Sequence, residues 1–336
     1  MAGLAQYSQF FENPLLTETI KEVPVPANFI GSDYLPAEDS FELEWHETVI
    51  TRQADMANIV DNGAELPLTD RDPMSTVSGK IVDIGQSYIV DKKELGALLD
   101  KGNPQRRLIA EKQLLGKTAT VKANIDARVE WMRWQALGEG ALTYSKDGII
   151  LGVDFGVPAG NKKTAAIKWN DVSPTILNDL EAWNQAYVDL NGMTADDFVV
   201  GIAIIRVIMN NPDVRKGITG FSDKLVTLSE LNSFLVGRQM APVRSFDTVV
   251  TYRDVNNNGA RVSQRLLSDK KGVFLKRGKE IGIQVLGPTI ENDMNPGIFA
   301  RTFTLERPKR EIVEVVASSF PKINDPKLIM PCTVML

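Results

Sequence analysis

Histidine and cysteine, the residues that most often carry catalysis or bind metals, are almost absent from this chain. Among 336 residues there is one histidine, His46, and one cysteine, Cys332. A Ser-His-Asp triad or a Cys-His dyad would have to use His46 as its base. His46 follows Phe41, Leu43 and Trp45, which alternate with polar residues as they do along one face of a strand. His46 therefore falls on the polar face, and we interpret it as a solvent-facing strand residue. One histidine and one cysteine are also too few for a zinc site.

One segment has the pattern that begins a calcium-binding loop. Asp254-Val-Asn-Asn-Asn-Gly259 places oxygen ligands at alternate positions and a glycine at the sixth, as an EF-hand loop does. The twelfth position, which should be a bidentate Glu, is Arg265. The flanking segments are strand-like, and Asn258-Gly259 favours a tight turn, so we predict a β-hairpin. No phosphate-binding GxxxxGK sequence is present. We predict no catalytic, cofactor-binding or metal-binding residues.

The composition is that of a globular protein. Hydrophobic residues make up 43% of the chain, charged residues 24%, and the net charge is -5. This balance excludes extensive disorder, and the lack of a basic segment argues against a strongly basic nucleic-acid binder. A single cysteine allows no internal disulfide and suits a protein made in a reducing cytoplasm. We find no signal peptide, and the longest apolar run, Phe198 to Met209, is too short to span a membrane.

An arm followed by a hairpin is predicted for the first 90 residues. Residues 1–40 carry four prolines and little periodicity, so we expect an extended arm with one short helix near its start. Its apolar side chains must lie on another surface, either its own or a neighbour's. Residues 41–90 predict a strand, a long turn-rich loop and a second strand, with the strands near Glu42–Arg52 and Lys80–Val90. We expect this hairpin to protrude, with no intramolecular cover for it or the arm.

A long helix follows. Asn103 is a good N-cap and Pro104 a good first helical residue, and apolar residues then recur every three or four positions as far as Leu137. Gly138 and Gly140 should end the helix. About 35 residues at 1.5 Å each would give a helix of roughly 50 Å. The alternative is a helix broken at Gly116.

The rest of the chain mixes helices and strands without a visible repeat, which favours the α+β class. Residues 198–205 fit a buried strand, although a helix also fits. The other predicted elements are a hairpin turning at Asp147-Gly148, helices over Thr175–Leu190, from Asn210 and over Leu228–Leu235, a hairpin within Pro242–Leu267, strands at Val273–Leu275, Ile281–Leu286, Phe303–Leu305 and Ile312–Ala317, and a proline-punctuated tail.

The order of these elements resembles the major capsid protein of lambda-like tailed phages, the capsid protein E family, which has the Hong Kong ninety-seven-type fold. Local sequences resemble that family too, and they occur in the same order across most of the chain. They are Trp45-His-Glu-Thr-Val49, Glu139-Gly-Ala-Leu-Thr-Tyr-Ser-Lys-Asp-Gly148, Val153-Asp-Phe-Gly-Val-Pro158, Trp169-Asn-Asp-Val-Ser-Pro174, Asn210-Asn-Pro-Asp-Val214 and Val316-Ala-Ser-Ser-Phe-Pro321.

The resemblance implies a division of the chain and a role. Residues 1–40 would be an N-terminal arm, 41–90 an extended loop over a neighbouring subunit, 91–168 a peripheral domain with a spine helix, 169–306 an axial domain, and 307–336 a return to the peripheral domain. The chain would be a structural subunit of an icosahedral phage head, forming pentamers and hexamers around double-stranded DNA without sequence-specific binding. Its partners would include a separate scaffolding protein, a portal protein and a decoration protein, with no membrane.

Some relatives with this fold cross-link their shells through a lysine near the tip of the extended loop. This chain has no lysine from Trp45 to Gly79, and the guanidinium groups of Arg52 and Arg71 stay protonated and cannot attack. Lys80 is expected at the base of the hairpin. The resemblance therefore implies a shell that is not covalently cross-linked.

Two rival functions remain open at this point. A phage tail or connector protein would have a β-barrel with a tube-forming hairpin and no long helix. A hydrolase acting through paired carboxylates would need two Asp or Glu side chains facing each other, which the sequence cannot place in space.

Overall fold

The computed structural model describes residues 3–6, 8–50, 74–100, 102–146, 149–254, 260–307 and 309–336. The helices are α1 (Asn13–Glu22), α2 (Lys92–Leu98), α3 (Pro104–Glu139), α4 (Ile176–Asn191), α5 (Ile202–Asn210), α6 (Pro212–Thr219) and α7 (Leu228–Gly237). The first nine strands are β1 (Ala37–Asp39), β2 (Glu44–Ile50), β3 (Met74–Lys80), β4 (Val82–Ile89), β5 (Ala141–Lys146), β6 (Ile149–Asp154), β7 (Lys163–Thr164), β8 (Asp197–Val200) and β9 (Val243–Ser245). The others are β10 (Val249–Asp254), β11 (Ala260–Arg265), β12 (Lys271–Leu275), β13 (Gly282–Thr289), β14 (Asn295–Pro296), β15 (Phe299–Glu306), β16 (Lys309–Ile323) and β17 (Met330–Thr333).

A six-stranded sheet is built around the 15-residue strand β16. One edge of β16 pairs antiparallel with β15 and then with β13, and its other edge pairs antiparallel with β4. The last residues of the arm join this sheet as β1, which runs parallel to β13 with Ala37 opposite Gln284. Strands from both ends of the chain thus meet in one sheet.

A five-stranded sheet has the order β7-β17-β12-β8-β9. Its central strands β8 and β12 are buried along nearly their whole length, as expected for strands covered on both faces. Three further pairs, β2–β3, β5–β6 and β10–β11, form separate two-stranded sheets. The predicted hairpins at residues 141–155 and within 242–267 are confirmed, while their turns at 147–148 and 255–259 lie outside the described residues.

The long helix is confirmed. It runs unbroken through Gly116 for 36 residues. The Asn103 side chain accepts a hydrogen bond from the Arg106 amide at 3.1 Å, and Gly140 ends the helix with φ at 69°. The left-handed region is one that glycine enters without a steric penalty, which explains the sharp stop there.

The hydrophobic core falls into two clusters, and α3 contributes to both. Leu114, Val121 and Ile125 pack with the arm and with β15 and β16, whereas Trp134 and Leu137 pack around the five-stranded sheet. An element that reaches from one cluster to the other has to be long, which accounts for a helix well above the usual three turns.

The arm is covered by its own chain, so the expectation that it lacks intramolecular cover is wrong. Leu4, Phe11, Leu16 and Ile20 are fully buried in the cluster that α3, β15 and β16 complete. The Thr17 hydroxyl donates to the Ala300 carbonyl at 3.0 Å and accepts from its amide. The apolar residues of the arm therefore stabilise the subunit itself.

The predicted position of the second strand of the hairpin, Lys80–Val90, is also wrong. The strand that pairs with β2 is β3, from Met74 to Lys80, and the next segment, Val82–Ile89, crosses into the six-stranded sheet as β4. The Ser-Thr-Val-Ser-Gly sequence of β3 carries a single large apolar residue, so no alternating pattern marks it. Residues 198–205, for which a strand and a helix both fitted, divide at Gly201 into the end of β8 and the start of α5.

Each of the two large sheets combines segments from distant parts of the chain. Residues 282–306, expected in the axial domain, supply β13, β14 and β15 to the six-stranded sheet. Residues 330–333, expected to return to the peripheral domain, form β17 in the five-stranded sheet with β8 and β12. The chain thus passes between the two sheets several times.

Candidate assembly interface

Strands β2 and β3 form a two-stranded hairpin that is separate from the two large sheets. Glu44 faces Lys80 at its root and Ile50 faces Met74 at the far end of its described part. Each seven-residue strand extends roughly 20 Å. Residues 51–73, and with them Arg52 and Arg71, lie outside the described residues. Within the described ranges, neither strand pairs with any third strand. Isolated two-stranded hairpins are at best marginally stable in water, so this element needs cover from elsewhere.

An apolar patch lies where the hairpin leaves the subunit. Phe41 is 73% exposed and Leu43 58% exposed, immediately before β2. The Leu43 carbonyl accepts a hydrogen bond from the Ile81 amide at 3.2 Å, which fixes the backbone of the patch although its side chains project outwards. Exposed apolar side chains on a fixed backbone are typical of protein-protein contact sites.

Buried hydrogen bonds join the arm to the spine helix α3. Glu130 is 0% exposed, and its Oε1 accepts hydrogen bonds from the Gly31 amide at 2.7 Å and the Trp134 indole at 2.8 Å. Its Oε2 accepts from Arg133 Nη1 at 3.2 Å. A buried carboxylate is stable only when paired and hydrogen-bonded in this way. The junction therefore fixes the arm to α3 shortly before β1 begins.

A second junction ties the arm to the five-stranded sheet. Asp197, at the start of β8 and 2% exposed, forms a two-point ion pair with Arg277 at 2.6 and 2.8 Å. It also accepts from the Tyr34 hydroxyl at 2.8 Å. Burial and the adjacent carboxylate raise the pKa of Tyr34 well above its usual value, so the hydroxyl keeps its proton and donates it. Arg244 reaches the same hydroxyl at 3.2 Å.

Other exposed apolar side chains lie at the ends of elements. Phe221 and Leu225 project from the connection between α6 and α7, and the Thr219 hydroxyl fixes that turn through both backbone groups of Phe221. Ile290 projects from the loop after β13, where Asp293 and Met294 both adopt left-handed backbone angles. These points are candidates for further contacts between subunits.

Among the described residues, no group of three His, Cys, Asp or Glu side chains could hold a metal ion. Cys332 is fully buried in β17, and burial raises the pKa of its thiol well above the usual range, which keeps it unreactive. The side chains of His46 and of the segment 254–259 lie outside the described residues. Across the described ranges, none of the helices has both the length and the apolar character needed to cross a bilayer.

Of the residues named here, Lys80 was considered from the sequence, whereas Glu130 and Asp197 were not. Lys80 stands opposite Glu44 at the hairpin root, as predicted. Sequence reasoning missed Glu130 and Asp197, whose partners in the arm, Gly31 and Tyr34, are 99 and 163 residues away along the chain. A signal for Glu130 was present, because it shares a helical stripe with Trp134 and Leu137 at the spacing of a buried face.

The fold is that of tailed-phage capsid proteins, the Hong Kong ninety-seven type. A protein of an Escherichia coli CFT073 prophage, assigned there as a capsid protein, superposes with a TM-score of 0.60 over 98% of this chain and 97% of its own, at 14% identity. A phage-related protein of Bordetella bronchiseptica RB50 gives 0.60 over 95% and 96%, at 11% identity. The capsid of the Myoviridae phage XM1 gives 0.51 over 91% and 90%, at 12% identity.

Sequence comparison defines the family. The profile of the family described as phage major capsid protein E matches residues 15–334, nearly the whole chain. The chain therefore belongs to the phage major capsid protein E family, and it is a structural subunit of a phage head. No curated protein sequence matches the chain significantly. The alternative of a tail-tube protein finds no support.

Proposed function

We propose that the chain forms pentamers and hexamers that close into an icosahedral phage head around double-stranded DNA. The observation that carries this proposal is the β2–β3 hairpin, a two-stranded element whose root carries exposed Phe41 and Leu43. A second copy of the chain supplies the missing cover when the hairpin lies across it. Ring-like arrangements of identical subunits use such head-to-tail contacts between different surfaces of each copy.

In this proposal the subunit has the expected segments. They are the arm at 1–40, the extended loop at 41–90, the peripheral domain at 91–168, the axial domain at 169–306 and the return segment at 307–336. Strand pairing favours adding β4 and β13–β15 to the sheet of the peripheral domain. The exposed turn of Phe221 and Leu225 then belongs to the axial domain, where subunits of one ring meet.

Assembly takes place in the host cytoplasm and requires a separate scaffolding protein, since the arm folds onto its own subunit. A portal protein occupies one vertex, and a decoration protein binds outside. The shell encloses DNA without sequence-specific contacts, consistent with a net charge of -5. It performs no enzymatic reaction.

Removal of the hairpin tests the proposal. Glu44 and Lys80 are cross-strand partners, so their Cα atoms are about 5 Å apart and a two-residue Asn-Gly turn can replace residues 45–79. We expect the shortened subunit to keep the thermal unfolding transition of the full chain but to form no shells when expressed with the other head proteins of the same phage. Normal icosahedral shells from the shortened chain would contradict the proposal.

Point substitutions give a milder test. Phe41→Ser and Leu43→Ser remove apolar surface that the isolated subunit leaves exposed, so its stability should change by no more than about 0.5 kcal/mol. Shell yield should fall in both variants. Expression of the wild-type chain alone tests the scaffolding requirement, since efficient formation of uniform shells without any partner would contradict it.

A further inference from the structure

A small cleft lies between α3 and the β10–β11 hairpin. Its volume is about 50 Å³, enough for one small polar group. Arg128 and Trp131 of α3 form one wall, and Tyr252 and Gln264 form the opposite wall. None of the described residues that line the cleft is acidic.

Two of the residues that line this cleft could donate hydrogen bonds to a bound molecule. Trp131 is only 8% exposed, and its buried indole N–H has no hydrogen-bond partner among the described residues. Leaving a buried donor unpaired destabilises a protein by about 1–3 kcal/mol, so an acceptor is expected in the assembled state. The unpaired indole therefore points to a ligand that the isolated chain lacks.

The second group is the guanidinium of Arg128. It stacks over the rings of Trp131 at 5.0 Å and Tyr144 at 5.4 Å. The two rings are themselves in edge-on contact at 6.2 Å, so they hold the guanidinium in a fixed place. Within the described residues Arg128 forms no ion pair, whereas the neighbouring Lys122 pairs with Asp126 at 2.7 Å. A fixed guanidinium presents its N–H groups in a fork that matches a carboxylate.

We propose that this cleft binds a carboxylate of a second copy of the chain in the shell, with Arg128 and the Trp131 indole as its donors. The partner is acidic overall, with 43 Asp and Glu against 38 Lys and Arg. A single cation does not suit the DNA backbone, which proteins bind with several Lys or Arg together. Trp, Tyr and Arg are the residues most enriched where protein interfaces concentrate their binding energy. The inference rests on the proposed self-assembly and assigns one of its contacts.

Three variants test the role of the cleft. Trp131→Phe removes the indole N–H and keeps a ring, and Arg128→Ala removes the guanidinium. Lys112→Ala is the matched control, since it removes a positive charge from an exposed position of the same helix. We expect the protein concentration needed for shell formation to rise at least tenfold for Arg128→Ala and about fivefold for Trp131→Phe, and to stay unchanged for the control. Thermal unfolding of the unassembled Trp131→Phe subunit is measured alongside, and a loss of shell formation without a lower melting temperature assigns the effect to assembly.

A cryo-electron microscopy map of wild-type shells, empty and DNA-filled, gives the direct answer. A carboxylate of a neighbouring subunit within hydrogen-bond distance of Trp131 Nε1 and Arg128 supports the proposal. An ordered water alone, or a DNA phosphate seen only in filled shells, overturns it while leaving shell assembly intact. A wild-type chain that forms no shells with its partners would overturn the proposed function and this contact with it.

Discussion

Gly31 is the position at which one added methyl group should detach the arm from the spine helix. A Cβ atom there would lie 2.8 and 2.9 Å from the two carboxylate oxygens of Glu130 and 3.0 Å from Cδ of Arg133. Glu130 is fully buried, so its carboxylate has no solvent into which to move. We therefore expect Gly31→Ala to break the 2.7 Å hydrogen bond from the Gly31 amide.

The size of the effect follows from that bond. A hydrogen bond to a charged group contributes about 1.5–3 kcal/mol, and displacement of a buried carboxylate from Arg133 adds to the loss. We expect Gly31→Ala to lower the free energy of unfolding by about 2–4 kcal/mol. Gly160→Ala is the matched control, because Gly160 also lies in a 3-10 turn and a Cβ there meets nothing within 4 Å.

Chemical denaturation of the unassembled subunit measures both variants. We expect the control to stay within about 0.5 kcal/mol of the wild type, as surface substitutions usually do. Limited trypsin digestion should cleave Gly31→Ala faster after Lys21, because the arm is released. Equal stability of the two variants would refute the assigned role of the Glu130 junction.

Four further outcomes are expected. Asp197→Asn should destabilise the subunit by about 1.5–3 kcal/mol in denaturant titrations, because it weakens the hydrogen bonds that the half-exposed Arg277 and Tyr34 donate to a buried carboxylate; a change below about 0.5 kcal/mol would contradict this. Burial raises the pKa of Tyr88 to about 12, so its contribution to stability is present below about pH 10 and is lost as the pH rises towards 12; Tyr88→Phe should flatten that loss in alkaline unfolding curves, and an unchanged curve would argue against it. Gly116→Ala should stabilise the subunit by about 0.5–1 kcal/mol, seen as a higher melting temperature, because nothing lies within 4 Å of its added methyl; a lower one would contradict the helix assignment. Denaturing gels of boiled mature particles should show one band near 37.1 kDa, whereas a ladder of covalent oligomers would contradict the absence of cross-links.

The spine helix could be predicted from the sequence because its signals are local. Asn103 and Pro104 at the start and Gly140 at the end act through neighbouring backbone groups. The order of elements and the quoted motifs were enough to indicate the capsid family, and the family profile confirms it. The β10–β11 hairpin could be predicted for the same reason, because strand periodicity and a tight-turn sequence are adjacent in the chain. The observed strand pairing confirms it.

The strand pairing could not be predicted because its determinants are distant in the chain. β4 pairs with β16, more than 200 residues later, and nothing within residues 80–90 distinguishes that partner from a hairpin return. The cover of the arm depends in the same way on β15 and β16. The cleft at Arg128 lies between α3 and a hairpin over 100 residues away along the chain. Neither segment alone is therefore enough to predict the cleft.

The course of the β2–β3 hairpin in an assembled particle tests the central claim most directly. A cryo-electron microscopy map of particles formed with the other head proteins should show an icosahedral shell in which residues 44–50 and 74–80 of each subunit lie on a neighbouring subunit and bury Phe41 and Leu43. Tubular particles, or a shell in which the hairpin folds back onto its own subunit, would contradict the account.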